Sequence, residues 1–269
     1  MKERKKERKK QRKTILFVLI LVLFLFAFFG FLRNEQRQND KIDELQNDIS
    51  FLRSQITVKS VNWNDKDYNY LAIGNSITVH PINTYWWNEC GMAATSLEND
   101  YVHRLSKLLN INQTRVFEYA FNFSVWEMQS HDRGETLSLL DGILCSKLDL
   151  ITIQLGENVL DSTTFESDLE ELICHLQNSS PNAKIAVIGD FWDEKEHDII
   201  KQKVCKKFGI SFVDLNEIKS QEKYKCVIGT TVYDKNGNMH IVEHDGVAKH
   251  PNDEAMMWIA QKVYETVKE

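Results

Sequence analysis

The sequence lacks the cysteine patterns that would mark a disulfide-stapled domain or a zinc site. It has five cysteines, and none of them forms a Cys-x-x-Cys pair or a Cys/His ligand spacing. An odd count leaves at least one thiol free within a monomer, which excludes a disulfide scaffold. We expect most of the cysteines to be small buried apolar residues. They are Cys90, Cys145, Cys174, Cys205 and Cys226.

Beyond its first residues, the chain also lacks any excess of basic charge. Residues 1–13 carry nine Lys or Arg and two Glu, a net +7, and subtracting this from the total of -6 leaves -13 for the rest. Phosphate binding needs a basic face, so the acidic remainder argues against a nucleic-acid partner. The first ~60 residues look non-globular, and the remaining ~210 suit one domain, 61–269, with a single core.

Residues 14–32 contain no charge at all, and every residue but Thr14 and Gly30 is strongly apolar or Ala. This length reaches the ~20 residues that a helix needs to cross a hydrocarbon core. The basic tail, 1–13, predicts that the N-terminus stays in the cytoplasm. The bulky exit at 28–33 offers no small-x-small cleavage site, which favours an uncleaved signal anchor over a cleaved signal peptide. We therefore expect a single-pass protein of the cell membrane whose main domain is extracytoplasmic.

Residues 33–60 predict a helical stalk. Apolar residues at spacings of 3, 4, 3 and 4 form a heptad seam at Ile42, Leu45, Ile49, Leu52 and Ile56. The seam covers only about two heptads. A parallel coiled coil through 42–56, which would make a homo-oligomer, and a single solvated helix therefore remain equal alternatives.

The rest of the chain alternates between strand and helix patterns. Apolar runs predict strands at 70–73, 115–119, 148–155, 184–189 and 210–213. Helical periodicity predicts helices at 97–109, around 137–144, and at 163–176 (with a Thr163/Glu166 capping box), 194–208 and 252–268. This alternation is typical of an α/β domain with a mostly parallel sheet and helices on both faces. An Asn-Gly turn within 227–242 predicts a β-hairpin inserted into that pattern.

Polar residues follow three of the predicted strands directly. They are Ser76, Asn158 and Asp190. Because ligands in such sheets bind at the carboxyl ends of the strands, we expect these residues to gather at one edge. A strand-end serine can attack an ester carbonyl and use its own N–H to hold the oxyanion, and an asparagine can donate a second hydrogen bond. His250 lies in the loop before the last helix, where a neutral imidazole could serve as the base.

Three segments carry a specific resemblance. Residues 73–78 (IGNSIT), 156–158 (GEN) and the late His250-Pro251 resemble the first, third and last blocks of the SGNH (GDSL-type) hydrolase superfamily, and the likeness extends over roughly 66–269. It implies a three-layer α/β/α, SGNH/flavodoxin-like fold and esterase chemistry on small acyl groups. Ser76 would be the nucleophile, His250 the base, and Asn158 with the Ser76 N–H part of the oxyanion hole.

Two positions depart from the pattern of that superfamily. Its second block supplies an oxyanion-hole glycine, which 120–126 lacks, so Asn122 or a backbone N–H there would have to serve. The acid of its triad lies three residues before the histidine, and this chain has Val247 there. Asp245, five residues before, would orient His250 through a different loop shape, or a backbone carbonyl would do so in a Ser–His dyad.

The sequence also contains a zinc-protease pattern and several tryptophans. His240 and His244 match H-x-x-E-H, which requires a helix, but they follow an Asn-Gly turn and would lie ~13 Å apart on a strand. We therefore expect no metal, and nothing in the sequence points to a cofactor. Trp86, Trp87 and Trp126 are candidates for the rim of a sugar pocket, with core packing as the alternative.

These features predict a membrane-anchored extracytoplasmic serine esterase that removes or transfers small acyl groups, with O-acetyl on a cell-envelope glycan as the expected substrate. The alternatives are a catalytically inactive glycan-binding module, which the two departures favour, and a lipase-like esterase.

Overall fold

The computed structural model describes Arg33 and residues 60–110, 115–129, 132–192 and 195–268. The chain divides into two units, Met1–Thr57 and Val58–Glu269, and the account below concerns the second. The predicted basic tail, the signal anchor at 14–32 and the coiled-coil seam at 42–56 lie outside the described residues. Within the described ranges, no helix combines the length and the apolar character that crossing a membrane requires.

A parallel sheet of five strands forms the centre of the described domain. The strands are β1 (Tyr68–Gly74), β2 (Val116–Asn122), β3 (Leu150–Gln154), β4 (Lys184–Ile188) and β5 (Ser211–Val213), in the order β2-β1-β3-β4-β5. Every residue of β3 is buried, as an apolar strand covered on both faces should be. The strand order reverses beside β1, and the carboxyl ends of β1 and β3 therefore flank the crevice where such sheets bind ligands.

Helices cover both faces of this sheet. They are α1 (Tyr101–Leu109), α2 (Ser124–Met128), α3 (Phe165–Ser179), α4 (Lys195–Phe208), α5 (Asp245–Ala248) and α6 (Asp253–Val267). Helices α1 and α6 pack on each other and share a core with Tyr70 and Ala72 of β1, whereas α3 and α4 pack on each other and bury a separate apolar stripe. The predicted α/β architecture with a mostly parallel sheet is confirmed.

Two predicted helices differ in detail. The segment 97–109 is interrupted at Asp100, which has extended backbone and whose carboxylate accepts a 2.8 Å hydrogen bond from the His103 N–H, so that α1 starts anew after it. The helix expected around 137–144 is instead a 3₁₀-helix, Arg133–Leu140.

The predicted capping box is also wrong. Helix α3 begins one residue later than the box requires, with Thr164 as the N-cap and no side-chain capping bond. The Thr164 hydroxyl donates instead to Asp168 (2.7 Å), which also pairs with the buried Arg133 guanidinium (2.6 Å). The ion pair therefore takes the hydroxyl that would otherwise cap the helix.

The predicted hairpin is confirmed. Strands β6 (Thr231–Tyr233) and β7 (Met239–Ile241) pair antiparallel, and Gly237 occupies the left-handed region at φ 81° as the turn requires. The hairpin segment buries Val232 and Val242 in a second apolar cluster with Trp86 and Val247.

All five cysteines are free thiols. Cys90, Cys205 and Cys226 are buried, Cys145 is partly buried and Cys174 is exposed. Most of them thus pack as small apolar residues, in line with the expectation from their number and spacing.

Candidate active site

Ser76 lies in the tight turn that follows β1. A Cβ at Gly74 would overlap with the Thr78 hydroxyl and lie 2.8 Å from the Gln154 carbonyl oxygen, so only glycine lets the chain turn here. Asn75 then fixes the turn, because its Oδ1 accepts the Ile77 N–H at 3.0 Å. Ser76 itself is partly exposed.

The structure brings His250 against Ser76. The distance from Ser76 Oγ to His250 Nε2 is 2.8 Å, and the distance from His250 Nδ1 to the Gly246 carbonyl oxygen is also 2.8 Å. A carbonyl can only accept, so Nδ1 carries the proton and Nε2 is the acceptor of the Ser76 hydroxyl. This is the tautomer that a base needs in order to remove the serine proton.

The surroundings of His250 keep it neutral. Burial, with a smaller contribution from His80, lowers the pKa of His250 to about 4, although the bond to Gly246 acts in the opposite direction. Part of the cover comes from Trp192, whose ring meets the imidazole edge to face at 5.2 Å and whose Nε1 donates to the Lys249 carbonyl at 3.2 Å. Sequence reasoning missed Trp192, and its only signal was its place shortly after β4.

The position that a triad acid would occupy is taken by the Gly246 carbonyl. Asp245 is exposed at the start of α5, and the acceptor at His250 Nδ1 is therefore a backbone oxygen rather than the Asp245 carboxylate. Val247, three residues before the histidine, is buried in the apolar cluster beneath the hairpin. Of the two arrangements considered from the sequence, the structure contains the dyad oriented by a backbone carbonyl.

Asn158 is connected to the turn that carries Ser76 by Glu127, a residue that the sequence did not single out. Asn158 Nδ2 donates to Glu127 Oε2 at 2.7 Å, which leaves a second N–H on the same amide. Glu127 Oε1 accepts from Asn75 Nδ2 at 3.1 Å, so one carboxylate connects Asn158 to the residue that precedes Ser76. In the part of the chain that the structure describes, the Ser76 N–H has no acceptor. Among the described residues, the Ser76 N–H and the second N–H of Asn158 are thus donors without an acceptor, as their expected oxyanion role requires.

Asn122 has another use. Its Nδ2 donates to the Val79 carbonyl at 2.7 Å, and its Oδ1 accepts the N–H and the hydroxyl of Ser124 at 3.1 and 2.7 Å. The side chain thus ties the end of β2 to the loop after Ser76. The structure therefore gives Asn122 a structural role at the end of β2, and the oxyanion role expected from the sequence stays a prediction.

Two carboxyl groups lie directly behind the site. Burial raises the pKa of Glu127, and burial together with the charge of Asp190 raises the pKa of Glu157 to about 8. Glu157 accepts from Gln154 Nε2 (2.8 Å), the Phe191 N–H (2.9 Å) and Asn75 Nδ2 (3.0 Å). An acidic residue among the apolar Val125, Trp126 and Met128 is the one mark of Glu127 in the sequence, and it does not indicate what the side chain contacts.

Asp190 is buried as part of an ion-pair network. It pairs with the fully buried Lys201, which also donates to the Ile188 carbonyl at 3.1 Å, and its other oxygen lies 3.2 Å from His197 Nδ1. Burial favours the neutral amine, but the charges of Asp190, Glu157 and Asp198 together outweigh it and raise the pKa of Lys201. Asp190 follows β4 as predicted, and its side chain packs against Gly156 in the loop after β3.

The tryptophans divide between core and surface. Trp86 and Trp126 have no exposed side-chain surface, so both belong to the core and the expected rim position is wrong for them. Trp87 is partly exposed and stacks on His240 at 4.5 Å, and Tyr85 stacks on His244 at 4.3 Å. The aromatic faces near the hairpin therefore come from Tyr85 and Trp87.

The two histidines of the zinc-protease pattern do not share a helix. His240 is on β7, where its Nε2 lies 3.5 Å from Asp234. His244 precedes α5, and its Nδ1 accepts the Gly246 N–H at 3.2 Å. The strand assignment removes the helical geometry on which that pattern depends.

Comparisons with known proteins show the fold. No family model matches the chain, and no curated protein matches it. Among solved structures it is similar to a family 3 carbohydrate esterase from Clostridium thermocellum, with a TM-score of 0.51, 15% identity, and coverage of 76% of this chain and 96% of that one. It is also similar to phospholipase A1 from Streptomyces albidoflavus (TM-score 0.49, 12% identity, 76% and 100% coverage) and to a protein from Parabacteroides merdae described as a GDSL-like lipase (0.47, 16%, 77% and 97%). At 15% identity the likeness to the carbohydrate esterase shows a shared α/β fold.

Proposed function

We propose that this chain is a serine ester hydrolase or acyltransferase of the SGNH type that acts on small acyl groups, with O-acetyl on a cell-envelope glycan as its substrate. The observation that carries the proposal is the 2.8 Å contact between Ser76 Oγ and His250 Nε2, together with the bond that fixes the proton on Nδ1. Nucleophile and base are thus in hydrogen-bond reach and in the correct tautomer.

The reaction would proceed through an acyl-enzyme. Ser76 Oγ attacks the ester carbonyl carbon while its proton passes to His250 Nε2, and the oxyanion accepts from the Ser76 N–H and Asn158 Nδ2. The intermediate then collapses, the alcohol leaves with the proton from His250, and the acyl group remains on Ser76. Water or a sugar hydroxyl then gives its proton to His250 and attacks the acyl carbon. The second intermediate collapses to the free acid or the acylated sugar while His250 returns the proton to Ser76 Oγ.

Two lines support a glycan acceptor. Tyr85, Trp87 and Trp192 present partly exposed aromatic surface near the hairpin and His250, and such faces stack on sugar rings. The fold is similar to that of a carbohydrate esterase. The envelope location rests on the apolar segment at 14–32, whose basic flank predicts an extracytoplasmic domain.

The test is covalent labelling of the full-length protein, purified in detergent, with a fluorophosphonate. We expect the wild type to be labelled on Ser76 and to hydrolyse p-nitrophenyl acetate, and the Ser76→Ala variant to do neither. Full activity of that variant would rule out the mechanism. A folded wild type that neither reacts nor hydrolyses would favour a non-catalytic glycan-binding module, for which the missing carboxylate at His250 is the supporting observation.

A lipase-like activity is the second candidate. The hairpin segment exposes several large apolar side chains, and a lipid acyl chain could contact them: Val227, Ile228, Tyr233, Met239 and Ile241. Hydrolysis rates on acetyl and long-chain p-nitrophenyl esters decide between the two. A preference for acetyl supports the glycan proposal, and a preference for long chains supports the lipase.

A further inference from the structure

We propose that Glu127 is a positioning residue that holds Asn158 ready to donate to the oxyanion. The role rests on the proposed esterase function and adds a residue to it. Glu127 would not touch the substrate itself. It would act through the amide of Asn158.

The contacts of Glu127 join the two loops that form the site. Its Oε2 accepts from Asn158 Nδ2 at 2.7 Å, and its Oε1 accepts from the Gly156 N–H at 2.5 Å and from Asn75 Nδ2 at 3.1 Å. The Asn158 N–H adds a longer contact of 3.4 Å to Oε1. One side chain from α2 therefore fixes the backbone and the side chain of the loop after β3 relative to the turn that carries Ser76.

All of these neighbours are donors, and this decides which side chain fits. A carboxylate can accept at both oxygens, whereas a glutamine would direct its own N–H₂ against donors on one side. Glu127 is 1% exposed, so a charge there is unfavourable unless such bonds compensate it. The buried charge is compensated by the same hydrogen bonds that orient the loop, which explains why a carboxylate can occupy this buried position.

With one N–H held by Glu127, the remaining Asn158 N–H has a fixed direction. An oxyanion donor is effective only when it is oriented before the reaction, and loss of one donor typically costs about 10²–10³ in kcat. Loss of Glu127 would leave the amide in place and allow it to rotate. We expect this to lower kcat while KM changes little, since the oxyanion exists only in the transition state.

The test is a double-mutant cycle on p-nitrophenyl acetate with the full-length protein. The variants are Glu127→Gln, Asn158→Ala and the double variant, and kcat is divided by the sites that a fluorophosphonate titrates, so that unfolded protein is not counted. We expect Asn158→Ala to lower kcat by about 10²-fold and Glu127→Gln by at least about 10-fold. The double variant should be no slower than Asn158→Ala alone, because Glu127 acts through that amide.

Asp149→Asn is the matched control. Asp149 is a partly buried carboxylate at the opposite edge of the sheet, where it accepts the Asn69 N–H at 2.7 Å. Its substitution should lower the melting temperature, leave the normalised kcat unchanged, and combine additively in free energy with Asn158→Ala. A purely structural Glu127 would behave like Asp149.

The outcomes separate the two proposals. If the wild type is active and the effects of Glu127→Gln and Asn158→Ala multiply in full, or if Glu127→Gln keeps the wild-type kcat, the positioning role is wrong and the esterase stands. If the wild type neither labels nor hydrolyses, both proposals are wrong. Should Glu127→Gln fail to fold, Glu127→Asp replaces it in the cycle, because it keeps the carboxylate on a shorter side chain. The same coupling with Asn158→Ala is then expected.

Discussion

Gly156 and Asp190 lie so close together that no side chain fits at residue 156. Gly156 has φ 144°, and a Cβ there would overlap with Asp190 Oδ1 and lie 2.8 Å from Lys201 Nζ. Asp190 and Lys201 form a fully buried ion pair behind the loop that carries Asn158. The close approach therefore couples the direction of Asn158 to the packing of a buried charge pair.

The first prediction is that Gly156→Ala is strongly destabilising. The new methyl group must displace a buried ion pair and also adopt a backbone conformation that L residues avoid, which together should cost about 2–4 kcal/mol in the free energy of unfolding. Because the Asn158 loop would move, labelling of Ser76 should also become slower. Denaturant unfolding and the labelling rate measure the two effects.

Gly209→Ala is the control for that substitution. Gly209 also has positive φ, 65°, but an added Cβ would find nothing within 4 Å. Only the backbone strain remains, which should cost about 1 kcal/mol. Equal losses at the two positions would contradict the steric argument for Gly156.

The second prediction concerns the acid limb of the pH profile. With the pKa of His250 near 4, the base is unprotonated throughout the neutral range. We expect kcat/KM to stay constant from pH 7 down to about pH 5 and to fall with a midpoint near 4 as His250 becomes protonated. The measurement is kcat/KM between pH 3.5 and 8, with tryptophan fluorescence at each pH to confirm that the protein is folded.

Trp192 provides the matched test of the cause. Trp192→Ala removes the ring that covers the imidazole, so the pKa of His250 should rise and the midpoint should move to higher pH. Trp192→Phe keeps an aromatic cover and should move it less. An acid midpoint between pH 6 and 7 in the wild type would show that burial does not control His250.

The positions of Ser76, Asn158 and His250 could be predicted because each depends on a local signal, a strand end or the start of the last helix, combined with a parallel strand order. Glu127 could not, since its role arises from contacts across 31 residues of chain that no periodic pattern encodes. The Gly246 carbonyl could not either, because every residue has a backbone carbonyl and only the tertiary fold selects one. For Trp126 the sequence left the rim and core packing as alternatives for the same reason, since its complete burial depends on packing.

The third prediction follows from the packing of Val247, the position of the acid in the SGNH pattern. Val247 is buried with Trp86, Val232 and Val242. A carboxylate there would enter an apolar cluster rather than reach His250, so Val247→Asp should lose about 3 kcal/mol or more of unfolding free energy and gain no activity. Val247→Ala, the control, should lose only about 1–2 kcal/mol. A stable and faster Val247→Asp variant would mean that this segment can rearrange into a triad.

The fourth prediction addresses the acceptor. Tyr85 and Trp87 are anchored by stacking on His244 and His240. If they bind sugar rings, Tyr85→Ala and Trp87→Ala should each raise KM for an O-acetylated oligosaccharide by about 10-fold. Both variants should hydrolyse p-nitrophenyl acetate like the wild type, because this substrate has no sugar. Equal losses on both substrates would assign the two residues to structure instead of binding.

The fifth prediction is that Glu157 makes the fold less stable as the pH rises. Burial and the charge of Asp190 raise the pKa of Glu157 from 4.5 to about 8, so between these values the folded protein holds a proton that the unfolded chain releases. Unfolding free energy therefore falls with increasing pH across that window.

Glu157→Gln cannot ionise, so its stability relative to the wild type should be greater at pH 8 than at pH 5. His250 titrates in both proteins and cancels in the difference, which therefore reports the ionisation of Glu157 together with its effect on Asp190 and Glu127. Urea unfolding at several pH values measures this difference, and a constant value from pH 5 to 8 would show that the folded and unfolded chains bind this proton equally.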